Sequence, residues 1–303
     1  MPENEKLHSV SPDNALVSVV PADIGCIRND VIKALSEDIG SGDVTADLLP
    51  AGQLGNGRIV TREPAVICGQ AWVDACFQQL DADVRVEWNI AEGSRVTSGQ
   101  VLCQLHGPVR ALVSAERSAL NFLQTLSATA TTTAAYVDAI RGTRARILDT
   151  RKTLPGLRHA QKYAVRIGGG MNHRMGLYDA VLIKENHIAA AGSLSLAVVH
   201  ARELHPGILI EVEVENFSEL REALATGVDR IMLDEFELEE LIQAVAEVDG
   251  RTPLEVSGGV GIDRVRAIAE TGVDYISIGA LTKHVRAIDL SMRIDFTKTG
   301  LAN

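Results

Sequence analysis

Ten basic residues crowd the stretch from position 141 to 187: Arg141, Arg144, Arg146, Arg151, Lys152, Arg158, Lys162, Arg166, Arg174 and Lys184. Only three acids, Asp149, Asp179 and Glu185, lie among them, so the stretch carries +7 in a chain of formal charge −11. A cationic focus on an anionic body concentrates small, multiply charged anions. Nucleic acid calls instead for a basic stripe along a whole face. A solvated basic surface is the plain alternative, but several of these charges adjoin apolar runs that read as buried strands, in RILDTRKT and DAVLIKENH. That placement favours an anion site. The densest part is GGGMNHRMGLYDAVLIKENHI at 168–188. Three glycines allow a tight bend, after which Asn172, His173 and Arg174 project together. Arginine grips planar carboxylates through two parallel hydrogen bonds, whereas lysine acts as a compact point charge. Arg151, Arg174 and His173 therefore suit carboxylates, and Lys152 and Lys184 suit phosphate or pyrophosphate.

Acids complete the set. Glu213 and Asp234 end successive apolar runs, where carboxylates could bind sugar hydroxyls or hold Mg²⁺ beside substrate phosphates. Glu211, Glu213 and Glu215 alternate and share one strand face; Glu213 is the one expected to act, and Glu215 reads as solvated. Glu235 follows Asp234 directly, so a strand would turn it to the other face. In VSGGVG and SIGALT a strand runs into glycine just before a helix, which turns backbone N–H groups toward an anion. Ser257, Gly258 and Gly259 form one such turn, and Ser277, Ile278 and Gly279 the other.

These residues need a scaffold that brings strand ends together. Apolar, β-branched runs recur at 146–150, 180–184, 208–215, 230–234, 253–257 and 275–279. Amphipathic candidates such as LSLAVVHAREL, SELREALATG, ELEELIQAVAEV and DRVRAIAETG lie between them. That alternation argues for parallel βα units. Six units suffice for a small β/α barrel, with an open doubly wound sheet as the competing architecture. Each run ends in residues able to do chemistry, and in a barrel all such ends open on one face. The first half differs. A helix is expected at 26–40, ended by Gly40, then short β-like runs from 57 to about 110, then a long helix over 114–140 that lacks Gly and Pro.

Composition narrows the function further. Aromatic residues make up 4% of the chain, too few for the stacking platforms of single-strand nucleic acid binding. The polar start MPENEKLHSVSPDN has no apolar segment of a secretory signal, and no run of about eighteen apolar residues marks a membrane span. Cys26, Cys68, Cys76 and Cys103 are irregularly spaced, as expected of reduced thiols in a cytoplasmic protein. Two other classes compete. A Schiff-base lyase would use Lys152 or Lys184 as nucleophile but leaves the paired carboxylates and both glycine turns unexplained. A carrier module is prompted by EGSRVTSGQVLCQLHGP, which is similar to lipoyl-type hairpins but contains no lysine for attachment.

SEDIGSGDVT, SAERSALNFLQ, DTRKTLPGLR, GGGMNHRMGLYDAVLIKENHI, EVEVEN, IMLDE, SGGV and SIGALT together resemble the quinolinate phosphoribosyltransferase family. The match runs from about Asp30 to Leu290. The resemblance implies an α/β fold: an N-terminal α/β sandwich domain over 26–140, then an incomplete six-stranded β/α barrel over 141–285. Residues 1–25 would form a flexible extension, and residues from about 286 to 303 would return to the first domain. It implies phosphoribosyl transfer from phosphoribosyl pyrophosphate to quinolinate with loss of CO₂, in NAD biosynthesis, with Mg²⁺ as cofactor. A related transferase acting on another heterocyclic acid is the alternative. It also implies a homodimer in which Arg117 completes the neighbouring subunit's site. Arg117, Arg151, His173 and Arg174, with Lys184 beside them, would hold the diacid. Lys152, Glu213 and Asp234 would meet the ribose and Mg²⁺-pyrophosphate alongside Thr150. The Ser257–Gly259 and Ser277–Gly279 turns would take the 5′-phosphate. The ATATTT tract at 128–133 has no assigned role.

Overall fold

The computed structural model describes residues 23–296; the expected extension lies outside the described residues up to position 22. Helix α1 (Ile24–Ile39) starts where the Asp23 carboxylate accepts from the Cys26 amide at 3.0 Å. It buries Ile27, Val31 and Leu35 at helical spacing and stops at Gly40, whose φ of 54° suits glycine. Strands β1 (Leu54–Thr61), β3 (Arg85–Trp88) and β5 (Val101–Pro108) follow, with the short pair β2 (Ala65–Val66) and β4 (Arg95–Val96) and helix α2 (Gln70–Leu80) among them. The first sheet is antiparallel and closes with a strand from the far end of the chain, β12 (Leu290–Phe296), in the order β12-β1-β5-β3.

Helix α3 (Val109–Ala139) starts five residues before the expected Ser114, because the chain leaves β5 directly into it at Pro108. Its 31 residues serve both halves of the molecule. Leu112, Leu120, Leu123 and Leu126 pack into the first core with Trp72 and Phe77. Tyr136, near its end, belongs to the second core.

All six runs expected in the second half form strands: β6 (Arg146–Leu148), β7 (Val181–Ile183), β8 (Ile210–Val214), β9 (Arg230–Asp234), β10 (Leu254–Ser257) and β11 (Tyr275–Ser277). They pair in parallel in the order β6-β11-β10-β9-β8-β7. The helices between are α4 (Arg158–Ile167), α5 (Glu185–Ala191), α6 (Leu194–Leu204), α7 (Phe217–Thr226), α8 (Leu238–Val248), α9 (Val265–Glu270) and α10 (Ala280–Lys283). The barrel is incomplete: β6 and β7 are the sheet's two edges. Beside β6 the glycine-rich segment lies along the seam, with the Met171 amide donating to the Ile147 carbonyl at 2.8 Å and the Asp149 amide to the Met171 carbonyl at 3.2 Å. The glycine-rich segment that leads to Asn172, His173 and Arg174 thus lies against an edge of the open barrel, while Glu213, Asp234, Ser257 and Ser277 come from its interior strands.

One local expectation changes. The glycines after β10 do not lead straight into a helix, since α9 begins only at Val265. Gly258 and Gly259 instead hold φ of 104° and 53° in an irregular turn, and the tight turn after Gly261, which accepts from the amides of Arg264 and Val265, intervenes.

Candidate active site

A cavity of about 300 Å³ opens at the carboxyl ends of the barrel strands. Thr150, Arg151, Lys152, His173, Arg174, Lys184, Glu213, Ser257 and Ser277 line it, with Leu182, Met232 and Glu255. Nine of the residues read from the sequence therefore converge. Asp234 ends β9 opposite Ser257 and, with Gly258, Gly259, Ile278 and Gly279, falls outside this lining. Arg117 lies on α3 in a different groove, with Asp43, Val44 and Leu48.

The basic stretch divides on folding. Arg151, Lys152, Arg174 and Lys184 reach the cavity. Arg141 and Arg144 pair with Asp138 and Asp274 at the surface, and the Arg166 guanidinium lies 5.9 Å from the Tyr163 ring. Arg158 braces the loop, donating to the carbonyls of Met175 and Arg151 at 3.2 and 3.4 Å. Among the described residues, Arg151, Lys152 and Arg174 have no carboxylate within ion-pair distance. Burial and then the neighbouring Arg151 charge lower the pKa of Arg174. Crowded cations without partners form a field that an anion relieves. Lys184, by contrast, is bonded to Glu213.

Local structure explains how the cations are held. Thr150 accepts from the Lys152 amide at 3.0 Å, and Thr282 donates to the Lys152 carbonyl at 2.8 Å. A Cβ on Gly279 would come within 3.0 Å of Lys152 Cδ, so glycine lets the lysine stem pass over that turn. Beneath Arg174, Lys162 and Asp149 form an ion pair with no exposed surface. Burial pushes the Asp149 carboxyl up and the Lys162 ammonium down, each against the pull of the other. The pair is tied to the segment above it. Lys162 donates to the His173 carbonyl at 2.9 Å, and Asp149 accepts from the His173 amide at 3.0 Å and the Asn172 side chain at 2.5 Å. Removing one partner of such a pair costs about 3–5 kcal/mol.

Both ring nitrogens of His173 are turned to protein groups. Nδ1 accepts from the Arg174 amide at 2.7 Å, and Nε2 lies 2.9 Å from Glu211 and 3.6 Å from Glu255. In the sequence Glu211 is set aside in favour of Glu213, and Glu255 is not singled out, although the alternation that faces Glu213 and Ser257 inward carries each with it. Burial raises both carboxyls, and the Glu211 charge adds to the rise at Glu255, which reaches about 7. Burial lowers the His173 pKa.

The two glycine turns differ. Among the described residues the amides of Gly258 and Gly259 donate to no protein group. The Ile278 amide is taken by the Leu148 carbonyl at 2.9 Å, and the Ser277 hydroxyl donates to the Val256 carbonyl at 3.3 Å.

An open parallel barrel joined to an antiparallel domain, with three cations at its mouth that no carboxylate among the described residues pairs, an acid–lysine pair and two glycine amides that donate to no described group, defines a barrel that handles small, multiply charged anions. Comparison with known proteins agrees. The family model for the quinolinate phosphoribosyl transferase N-terminal domain matches residues 43–127, and that for the C-terminal domain matches residues 129–293. The nicotinate-nucleotide pyrophosphorylase (carboxylating) of Mycobacterium leprae is 44% identical over 275 residues, covering 88% of this chain and 96% of that protein. The quinolinate phosphoribosyltransferase (decarboxylating) 1 of Nicotiana glauca is 39% identical over 96% of this chain and 89% of its own length. The structure of the nicotinate-nucleotide pyrophosphorylase from Francisella tularensis superposes with a TM-score of 0.88 at 43% identity, covering 93% of this chain and all of that one. This chain belongs to the quinolinate phosphoribosyltransferase family.

Proposed function

We infer that this protein is a decarboxylating quinolinate phosphoribosyltransferase, joining quinolinate to the phosphoribosyl group of phosphoribosyl pyrophosphate and releasing pyrophosphate and CO₂. The product is nicotinate mononucleotide, an intermediate of NAD biosynthesis. The observation that carries the site assignment is the trio Arg151, Lys152 and Arg174, gathered around one cavity with no carboxylate among the described residues at ion-pair distance. A diacid and a sugar pyrophosphate together bring the negative charge that such a trio calls for.

The chemistry needs no protein nucleophile. Arg151 and Arg174 seat the two carboxylates of the pyridine, and Lys184 and His173 stand beside them. Lys152 faces the departing pyrophosphate, Glu213 and Asp234 meet the ribose hydroxyls, and the amides of Gly258 and Gly259 with Ser257 receive the 5′-phosphate. The pyridine nitrogen forms its bond to the anomeric carbon as the bond to pyrophosphate breaks. The ring, now a pyridinium, withdraws electrons from its 2-position. That carboxylate leaves as CO₂, and a proton takes its place. Positioning and preorganised charge supply the rate enhancement. Glu213 and Asp234, hard oxygen donors on adjacent strands, fit a Mg²⁺ carried by pyrophosphate; when bound, that ion neutralises charge on the leaving group. Four free thiols fit the cytoplasmic setting expected from the sequence. Among the described residues no helix is long and apolar enough to cross a membrane.

The test supplies quinolinate, nicotinate and nicotinamide in turn with phosphoribosyl pyrophosphate and Mg²⁺, and measures CO₂ and pyrophosphate. Quinolinate alone should release both. Arg174→Ala should lose quinolinate binding in calorimetric titration while keeping phosphoribosyl pyrophosphate; loss of both ligands would show the roles to be misassigned.

A further inference from the structure

At the floor of the cavity, where His173 and Glu255 line it, these two residues and Glu211 form a cluster whose two acids the transfer chemistry leaves without a role. Glu211 and Glu255 have no exposed surface. Among the described residues, both Glu211 oxygens, Glu255 Oε1 and His173 Nε2 lack an aligned hydrogen-bond partner, though the two carboxyls lie close enough to influence each other; native structures rarely carry such a cost without a reason. The three side chains offer ligand atoms within 4.8 Å of one another, which would admit a cation. Two observations argue against a metal there. His173 Nδ1 accepts from the Arg174 amide at 2.7 Å, so the ring proton sits on Nε2, where a metal would need a lone pair. Arg230, 2.9 Å from Glu255 Oε2, already supplies positive charge beneath the acids.

The cluster is continuous with the cavity instead. The Tyr275 ring supports the Arg230 guanidinium 4.4 Å from its centre, and Arg230 binds one oxygen of Glu255. The other oxygen of Glu255 and one of Glu211 flank the Nε2 edge of His173. The opposite edge of that ring holds the Arg174 main chain. Acids from two strands thus flank one imidazole, side chains from two more back one of those acids, and the ring's other nitrogen holds a residue of the mouth.

We propose that Glu211 and Glu255 are positioning residues for the aromatic diacid: by bracketing the Nε2–H of His173 they lock the backbone at Arg174 and aim its guanidinium into the cavity. The inference rests on the reading of Arg174 as the anchor of the diacid. Glu213 does not share the role, because it is bonded to Lys184.

The test compares Glu211→Leu, Glu211→Gln and the double variant Arg230→Met/Glu255→Leu with Arg174→Ala. The double variant removes the Arg230–Glu255 ion pair as a unit, so neither partner is left buried without the other, while Glu211 loses the pull of Arg230 and keeps that of Arg174. Each folded protein is titrated separately with quinolinate and with phosphoribosyl pyrophosphate plus Mg²⁺. Glu211→Leu and the double variant should bind quinolinate about tenfold more weakly, from the loss of an acid facing the Nε2 edge of His173. Phosphoribosyl pyrophosphate binding should not change. Glu211→Gln, whose amide oxygen still accepts from Nε2–H, should recover most of the loss. Unchanged quinolinate affinity in Glu211→Leu and the double variant, with Arg174→Ala unable to bind it, overturns the positioning role and leaves the site reading intact. Normal quinolinate binding by Arg174→Ala overturns both. Nitrogen-15 NMR of histidine-labelled parent protein gives a readout independent of the variants. His173 should be the Nε2–H tautomer, and an Nδ1–H tautomer sinks the proposal.

Discussion

A carboxylate walled off from water resists ionisation, and Glu255 shows the consequence for stability. Burial first, and the charge of Glu211 second, raise its pKa from 4.5 to about 7, against the pull of His173 and Arg230. The folded value lies above the unfolded one, so between them the native state binds more protons. Stability therefore falls as pH rises through that window, by up to about 1.4 kcal/mol per unit. Carboxyls held low in the fold, such as Asp43 and Asp179, contribute with the opposite sign at more acid pH, so the parent's profile alone is mixed. Glu255→Gln isolates the effect. Its thermal midpoint should fall less than the parent's between about pH 5 and about pH 8; parallel profiles would show that Glu255 is ionised across the range. This residue also marks what the sequence hid. Arg151, Lys152 and Lys184 were legible because each follows an apolar run with a polar strand end, and Arg174 because it comes with Asn172 and His173 after three glycines. Glu255 and Glu211 sit inside their strands, where an acid is buried only if distant residues compensate it. Here the compensation comes from Arg230 and His173, which only the closed chain brings near.

At the scale of elements, the ATATTT tract acquires a role that composition did not reveal. Small and β-branched residues on α3 let two neighbours approach its surface. Thr131 and Ser127 hydroxyls accept from the amides of Val66 and Cys68 at 2.8 and 3.0 Å, docking the β2 region. On the same helix Ala130 and Thr133 receive the glycine segment that leads to Asn172, His173 and Arg174. A Cβ on Gly168 would lie 2.5 Å from the Ala130 carbonyl oxygen and 2.6 Å from Thr133 Cβ. Gly168 has an ordinary helical φ of −74°, so the glycine is needed for contact rather than for backbone freedom. Gly168→Ala must push the segment off α3 or bend the helix, at about 1–3 kcal/mol. The thermal midpoint should drop, and quinolinate should bind more weakly because Arg174 moves with the segment. An alanine variant with parental stability and affinity would show that the segment is not seated by this contact. The strands themselves were plain in the sequence, since β-branched runs at regular spacing leave little choice. Helix starts were less so: α3 begins at Val109 because β5 feeds it without a loop, and α9 waits until Val265 because the turn after Gly261 intervenes.

At the scale of the whole molecule, Arg117 lines a groove of its own rather than the cavity at the strand ends. Arg117 projects from α3 with 71% of its side chain exposed, beside a loop on which Val44 and Leu48 are 82% and 83% exposed. Apolar side chains so open, around a cation whose ion-pair partner among the described residues is Glu116 at 3.5 Å, fit a surface covered by a second copy of the chain. In a two-fold dimer the Arg117 of each subunit would then serve the cavity of the other, and that arrangement has a quantitative signature. Arg117→Ala and Lys152→Ala chains should each be inactive alone. Mixed in equal amounts and allowed to exchange, half the dimers become hybrids. Each hybrid has one site bearing both defects and one site with Lys152 from one chain and Arg117 from the other, so about a quarter of parental activity should return. If Arg117 works within its own chain, no hybrid contains an intact site, and mixing restores nothing. The measurement is the rate of CO₂ release before and after exchange, with hybrid formation followed by native mass spectrometry. Hybrids without activity would place Arg117 outside the partner's site.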